Sequence, residues 1–283
     1  LNQIPEINRS NLIIEPVRKN TAPAVAYAAF KINALNPNAN LVVAPSDHLI
    51  LKEKLFLEIL QKAVDFASSN DVLMTLGIKP DKPNTGYGYI EISDDAAADN
   101  TGMYRVQSFR EKPDLNTAEY YLSTGKYLWN SGIFIFNTRS VLSALQKYAP
   151  DIYDPLSQGK DFYNTDREMD FLIDHYQKTP SISFDYAVLE KADNIFTSMA
   201  DISWSDLGTW NSLHSILKKD KNNNALIDAT ANTENSHGNI IKAPKYKFVY
   251  IRDLDNFIIV DENNTLLIYP IDKEQDIKNI EKH

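Results

Sequence analysis

The sequence predicts an α/β fold, a three-layer domain whose mixed, mostly parallel sheet lies between helices, followed by a small β-rich C-terminal region. Three observations predict it. Between residues 12 and 76, short apolar runs alternate with stretches of helical periodicity. The run Leu41 to Ala44 is continuously apolar, as expected of a strand covered on both faces. After a stretch rich in Lys, Asp and Asn, short β-rich runs follow one another almost to the end of the chain.

Taken in order, Leu12 to Ile14 reads as the end of a strand, and Thr21 caps a helix that runs to about Leu35. Val25, Ala28, Ala29 and Ile32 share one face of it, the alanines being small enough for close packing on a sheet. Leu41 to Ala44 is the next strand and ends abruptly in Pro45-Ser46-Asp47-His48. A second helix, Glu53 to about Ser68, carries Leu55, Phe56, Ile59, Leu60, Ala63, Val64 and Ala67 at helical spacing, and Val72 to Leu76 follows as strand. Such a βαβαβ run binds ligands beyond the carboxyl ends of its strands. Residues 87–136 are strand-rich and aromatic, and residues 142–177 read as polar helices. The stretch 218–235 reads as a linker, which puts a domain boundary near residue 222 and divides the chain into 1–222 and 223–283. The tail then offers β-rich runs at 239–241, 248–251, 257–260 and 265–268.

Composition narrows the function. With 43% hydrophobic and 24% charged residues, the chain has the makings of a packed core. A net charge of -9 and a pI near 5.1 argue against a nucleic-acid surface, which needs clustered Lys and Arg. The absence of cysteine removes thiolate metal sites and thiol nucleophiles. No apolar run is long enough to span a bilayer, so no membrane partner is expected and the cytoplasm is the expected compartment. A homodimer is an open option.

Several segments could carry chemistry. Asp47, just after a buried strand, is either a magnesium ligand or an ordinary turn cap, with Ser46 beside it. Asp206, in Ser203-Trp204-Ser205-Asp206-Leu207-Gly208-Thr209-Trp210, is a second carboxylate on a loop walled by two indoles. One or two carboxylates plus phosphate oxygens suffice to hold Mg2+. Glu15 to Ala24, with Lys19, Asn20, Thr21, Ala22 and Pro23, opens a helix and offers polar groups that could read a base edge or simply cap the helix. Tyr87 and Gly88 lie in a loop whose glycines allow close backbone approach. Glu111 and Lys112 combine an acceptor for vicinal hydroxyls with a cation for phosphate, yet neighbours on an extended segment face opposite ways unless a bend reorients them. Asn130 precedes an apolar strand and suits either a sugar hydroxyl or a turn, and Asp185 opens a segment that ends in Glu190-Lys191.

In order, Glu-Pro...Asn-Thr-Ala-Pro-Ala, Pro-Ser-Asp-His, Gly-Ile-Lys-Pro...Thr-Gly-Tyr-Gly-Tyr-Ile, Phe-x-Glu-Lys-Pro, Trp-Asn-Ser-Gly, Asp-Tyr-Ala-Val-x-Glu-Lys and Trp-Ser-Asp-x-Gly-x-Trp span residues 15–210. Together they resemble the sugar-1-phosphate nucleotidyltransferases, most nearly the mannose-1-phosphate guanylyltransferase group, whose tail Asp272 to Lys278 also resembles. The resemblance implies a Rossmann-like, GT-A-like domain that forms GDP-mannose and pyrophosphate from GTP and mannose 1-phosphate. It places Asn20, Thr21 and Ala22 at the guanine with Pro23 nearby, Lys19 where many members have Arg, and Mg2+ on Asp47 and Asp206. Tyr87 and Gly88 would line the sugar-nucleotide cleft, Glu111 and Asn130 would bind mannose hydroxyls, Lys112 the sugar phosphate, and Asp185 the pocket rim. Catalysis would then be positioning and charge neutralisation, with no protein nucleophile.

Members of that family open with a strand and a Gly-rich loop bearing an Arg and then Pro-Lys, and this sequence contains no such segment. The expectation is therefore that such a stretch is missing from the start, that the sheet is incomplete or a pocket lies open where the loop belongs, and that the chain as it stands is inactive. The alternatives are a related hexose-1-phosphate nucleotidyltransferase using another nucleotide, or a catalytically silent sugar-nucleotide-binding subunit. A glycosyltransferase fits less well, since paired acids around one residue follow a strand only at Asp253-Leu254-Asp255, in the tail.

Overall fold

The computed structural model describes residues 6–8, 11–93 and 101–280, and the chain divides into two compact units. One comprises Leu1–Ser46 and Leu51–Ile202, the other Asp47–Ile50 and Ser203–His283. The boundary expected near residue 222 thus falls inside the second unit, which begins at Ser203 and also takes in the short segment after Ser46.

In the first unit, α1 (Thr21–Leu35), β1 (Asn40–Val43), α2 (Glu53–Ser69) and β3 (Leu73–Ile78) follow the expected alternation, the short strand β2 (Leu49–Ile50) belonging to the other unit. Next come β4 (Tyr89–Ile92), β5 (Met103–Arg110), α3 (Leu115–Thr124), β6 (Tyr127–Asn137), α4 (Thr138–Tyr148), α5 (Pro150–Ser157), α6 (Glu168–His175) and β7 (Ile195–Met199). The sheet runs β1-β6-β3-β7-β5-β4, with β4 also paired to β6. It is mixed, as expected, but not mostly parallel in its pairing. β1, β3, β7 and β4 point one way, while β6 and β5 run in reverse between them, so among the described residues only β3 and β7 of this sheet are hydrogen-bonded in parallel.

Two further expectations are corrected here. Leu12 to Ile14 form no strand, and all three side chains are exposed. β1, which among the described residues lies at the edge of the sheet, is not covered on both faces: Leu41 is buried, whereas Val42 is 42% exposed.

The helix α1 forms because Asn20, not Thr21, caps it, its side-chain oxygen accepting the Thr21 N–H at 2.8 Å. Ala22, Ala26 and Ala29 are fully buried, and their small size lets α4 and α5 pack closely on this face. A buried carboxylate, Glu168, joins α1 to α6 by accepting from Tyr27, Lys31 and the backbone N–H of Asn164. Leaving such a charge without partners typically costs about 3–5 kcal/mol, so α1 and α6 hold one arrangement.

The second unit is built by stacking. β9 (Ala225–Ile227), β11 (Ile240–Lys242) and β13 (Phe257–Glu262) lie in parallel, with Ala225 beside Ile240 and Ile240 beside Ile258. β10 (Thr230–Glu234) pairs in parallel with β12 (Phe248–Arg252), and β14 (Thr265–Pro270) returns antiparallel on β13. The stretch 218–235, expected to be a linker, therefore holds two strands. Its polar residues occupy the turns of the stack. Asn224 accepts from the backbone and side chain of Asn239 at 3.0 and 2.9 Å, and Asn239 in turn accepts the Phe257 N–H at 2.9 Å. This buried amide ladder satisfies the backbone between successive turns. Among the described residues, no helix is long and apolar enough to cross a membrane.

Candidate active site

In the first unit, four of the sequence-predicted residues converge on Gly88. β6 carries Asn130, whose backbone N–H donates to the Gly88 carbonyl at 2.8 Å and whose side-chain NH2 donates to Asp185 Oδ1 at 2.9 Å. The bend that the Glu111-Lys112 pair requires is present. Lys112 has φ 46° and gives its N–H to the Tyr87 carbonyl at 3.2 Å, which turns its ammonium onto the Glu111 carboxylate. A Cβ on Gly88 would stand 2.5 Å from Glu111 Oε2 and 3.3 Å from the Asn130 Cβ, so only glycine admits this packing.

Asp185 begins a π-helical turn, Asp185–Leu189, and the residue before it, Phe184, is fully buried between Phe134 and Phe136 at ring distances of 5.4 and 5.7 Å. That anchor fixes where the carboxyl sits. Burial, reinforced by the negative charge of Glu111, pushes the Asp185 carboxyl up to about 6, against its own backbone N–H, Lys112 and Asn130. For Lys112, burial alone would lower the ammonium, but the hydrogen bond and charge of Glu111 outweigh it and hold the group above its usual range. Two carboxylates, one exposed ammonium and one amide thus share a small polar site.

Sequence reasoning missed three residues here. Thr75, fully buried in β3, donates its hydroxyl to Asn130 Oδ1 at 2.8 Å and so decides which way the amide points. Glu190 accepts the Glu111 N–H at 3.1 Å. Trp129, 6% exposed, stands edge-on to Tyr87 at 5.0 Å, and its buried Nε1 has no hydrogen-bond partner among the described residues. For Thr75 the signal was a lone Thr in an otherwise apolar strand, whereas Trp129 and Glu190 stood inside the motifs Trp-Asn-Ser-Gly and Asp-Tyr-Ala-Val-x-Glu-Lys without a role assigned to them.

The start of α1 is less open than the sequence suggests. Ala22 and Pro23 are buried, and the Ala22 N–H is spent on the Ile182 carbonyl at 3.1 Å. Thr21 Oγ1 accepts the Phe184 N–H at 2.8 Å, which ties this segment to the one bearing Asp185. Lys19 is half-buried, Asn20 is exposed, and Ser46 is exposed beyond β1.

In the second unit, β2 (Leu49–Ile50) pairs antiparallel with β8 (Trp204–Ser205), matching Leu49 to Ser205 and Ile50 to Trp204, so His48 and Asp206 are the residues next beyond the paired strands. Asp47 and Asp206 both lie close enough to His48 for their charges to raise its pKa, yet burial dominates and the imidazole ends below its usual range. It is neutral near pH 7. The indole N–H of Trp204 donates to its Nδ1 at 3.1 Å, which leaves the proton on Nε2. Both carboxylates expected to hold Mg2+ thus lie within electrostatic reach of His48. Among the described residues, no group of three or more His, Cys, Asp or Glu forms a ready metal cage. The carboxylates of Asp47 and Asp206 are nonetheless oxygen donors of the kind Mg2+ takes when phosphate and water complete its shell.

Comparison with known proteins adds a family. The sequence profile described as "Nucleotidyl transferase" matches residues 1–223. A Salmonella muenchen protein named mannose-1-phosphate guanylyltransferase is 38% identical over 98% of this chain and 59% of its own length. An Escherichia coli protein of the same name is 35% identical over 99% of this chain and 61% of its own length. The chain therefore spans about three-fifths of these relatives. A crystal structure from Thermus thermophilus, described as a mannose-1-phosphate geranyltransferase, superimposes with a TM-score of 0.82 at 26% identity, over 95% of this chain and 76% of that one.

Proposed function

The chain belongs to the nucleotidyl transferase family, and from that premise we propose that it joins GTP to mannose 1-phosphate, forming GDP-mannose and pyrophosphate. The observation that carries this reading is the cluster of Glu111, Lys112, Asn130 and Asp185 around Gly88. One ammonium beside two carboxyls and an amide is the complement of a phosphorylated polyol, with acceptors and donors for hydroxyls and a cation for phosphate. The names of the relatives, given for nearly the full span of this chain, support the hexose and the nucleotide.

In the reaction, a phosphate oxygen of mannose 1-phosphate attacks the α-phosphorus of GTP. A new P–O bond forms as the bond to pyrophosphate breaks. The attacking oxygen is already ionised, so the protein needs no general base, and its part is to align and neutralise. Lys112 offsets the sugar-phosphate charge, Glu111 accepts from sugar hydroxyls, and Asn130, aimed by Thr75, shares its amide between the sugar and Asp185. Lys19 and Asn20 are the accessible polar groups at the start of α1 for the nucleotide. Mg2+, when bound, would be held by Asp47 and Asp206 and would neutralise charge on the triphosphate. Free nucleotide and sugar phosphate as substrates make the cytoplasm the expected compartment.

The test is pyrophosphate release by the full-length protein with each nucleoside triphosphate against a panel of hexose 1-phosphates. GTP with mannose 1-phosphate should exceed every other pair in kcat/KM by about tenfold or more. Preference for another pair overturns the substrate assignment. Tight binding of GDP-mannose without turnover by any pair would mark a sugar-nucleotide-binding protein instead.

A further inference from the structure

The loop bearing Asp206 is an improbable conformation for its sequence. Ser203 has φ 51° and Leu207 φ 52°, and a bulky leucine in the left-handed region is strained. Such strain persists only where the surroundings over-determine the backbone. At its start the loop is held by β2 through the pairing of Leu49 with Ser205. Within the loop, Ser205 Oγ accepts the Leu207 N–H at 3.2 Å and Asp206 Oδ1 accepts the Gly208 N–H at 3.1 Å. Both of these bonds are local and cannot fix the loop against the rest of its unit. Its far end passes directly into α7 (Trp210–Ile216), whose first turn Thr209 caps through the Ser212 N–H at 3.0 Å.

The last turn of α7 is held by His214, whose Nε2 lies 2.8 Å from the Asn223 carbonyl, while its first turn is held from the far end of the chain. Glu274, in the 3₁₀ segment Ile271–Asn279, accepts the Asn211 backbone N–H on Oε2 and the Asn211 side-chain NH2 on Oε1, each at 3.0 Å. The same NH2 group lies 3.4 Å from the Ile271 carbonyl. A two-point contact from one half-buried carboxylate fixes orientation as well as distance, and a charged acceptor makes these the stronger kind of hydrogen bond. Asn211 is five residues from Asp206, and the strained Leu207 lies between them.

We propose that Glu274 is a positioning residue for cation binding, clamping α7 so that the loop before it stays in the strained form that aims Asp206. The inference rests on the assignment of Asp206 as a cation ligand and extends it to a residue that touches neither cation nor substrate. On this reading the segment from Asp272 to Lys278 fastens the Asp206 loop instead of merely ending the stack.

The test compares wild type with Glu274→Ala and Glu274→Gln in the full-length protein, by amide hydrogen exchange over residues 205–213 and by Mn2+ titration in the presence of GDP-mannose. In E274A, exchange across the loop should quicken by about tenfold or more and the Mn2+ dissociation constant should rise by a similar factor, with the unfolding midpoint of the stacked strands little changed. E274Q keeps one neutral acceptor and should fall between E274A and wild type in both readouts. Unaltered exchange in E274A overturns the clamp. Faster exchange with unchanged Mn2+ affinity also overturns the proposal, since Glu274 would then stabilise α7 without aiming Asp206. Asp206→Asn separates the premise from the inference: if it binds Mn2+ as tightly as wild type, the assignment of Asp206 itself fails.

Discussion

The two units position their acidic groups by opposite means. Around Gly88, Asp185 and Glu111 are fixed by burial. Phe184 anchors the segment, Asn130 and Lys112 supply hydrogen bonds, and the cost of enclosing two carboxyls shows in the elevated Asp185. In the second unit, Asp47 is exposed and Asp206 sits on a loop held by β2, by its own turns and by Glu274. The first strategy fixes a site by excluding water, the second by constraining backbone. They differ in what can break them: a buried site is sensitive to volume and pH, a strained loop to the loss of its fastenings.

If the second unit holds the cation, charge is what matters there and shape matters little. Asp47→Asn and Asp206→Asn, which alter charge at constant size, should each lower kcat/KM for pyrophosphate release by about a hundredfold or more, with thermal stability nearly unchanged. Activity within a few-fold of wild type in either variant would remove that carboxylate from the reaction.

Around Gly88, volume is what matters. In Gly88→Ala the new methyl meets Glu111 Oε2 at 2.5 Å, and the Glu111 side chain, only 8% exposed, can yield only by leaving Lys112 or Asn130 misplaced. A loss of about ten- to hundredfold in kcat/KM, mostly through the KM for mannose 1-phosphate, is expected. An unchanged KM would show that Glu111 does not face the sugar.

The same contrast extends to pH. Asp185 is raised in the folded state from 3.8 to about 6, so the fold favours its protonated form. Its stabilising contribution is fully present below its ordinary value and is lost as pH rises through about 6. Asp185→Asn keeps an oxygen for the Asn130 NH2 group and carries no charge. It should therefore be more stable than wild type at pH 8, by on the order of 2 kcal/mol, and differ little at pH 4, as measured by urea unfolding at both values. Equal stabilisation at both pH values would mean that the carboxyl is not desolvated.

How far these features could be read in advance follows from what periodicity reports. The helices α1 and α2 and the runs that become β11 to β14 were legible from helical spacing and β-rich composition, but spacing recorded the buried side only in part: Val25 and Ala29 of α1 and Ala63 and Ala67 of α2 are buried, whereas Leu55, Phe248, Tyr250, Leu266 and Ile268 are exposed. Leu12 to Ile14 is apolar in sequence but exposed in the fold, and apolarity alone does not supply a partner strand. β9 and β10 were hidden because a stacked turn is held by pairing with residues one turn away, and its corners are Asn and Asp, the residues that otherwise signal loops. Strand pairing in the first unit was misread for a related reason: β6 intrudes between β1 and β3, and β5 lies antiparallel between β7 and β4. Glu111, Lys112, Asn130 and Asp185 stood out as motifs. Their convergence, and the roles of Thr75, Glu190 and Glu274, depend on contacts between segments that no local pattern encodes.

Thr75 offers the finest test of a site fixed by burial. Its hydroxyl is the only group on β3 that reaches into the cluster among the hydrogen bonds described, and it acts on Asn130 without facing the sugar. Thr75→Val keeps the shape and deletes the donor, which leaves Asn130 Oδ1 with the Gly132 N–H at 3.2 Å. The fold should lose about 1 kcal/mol in urea unfolding, the usual net worth of one such bond. The Asn130 amide, no longer aimed from behind, should raise the KM for mannose 1-phosphate by about two- to fivefold and leave kcat nearly unchanged, because it binds sugar hydroxyls equally before and during the reaction. A fall in kcat with KM unchanged would instead put Asn130 among the groups that act only in the transition state, and the buried cluster would then be part of the chemistry as well as of recognition.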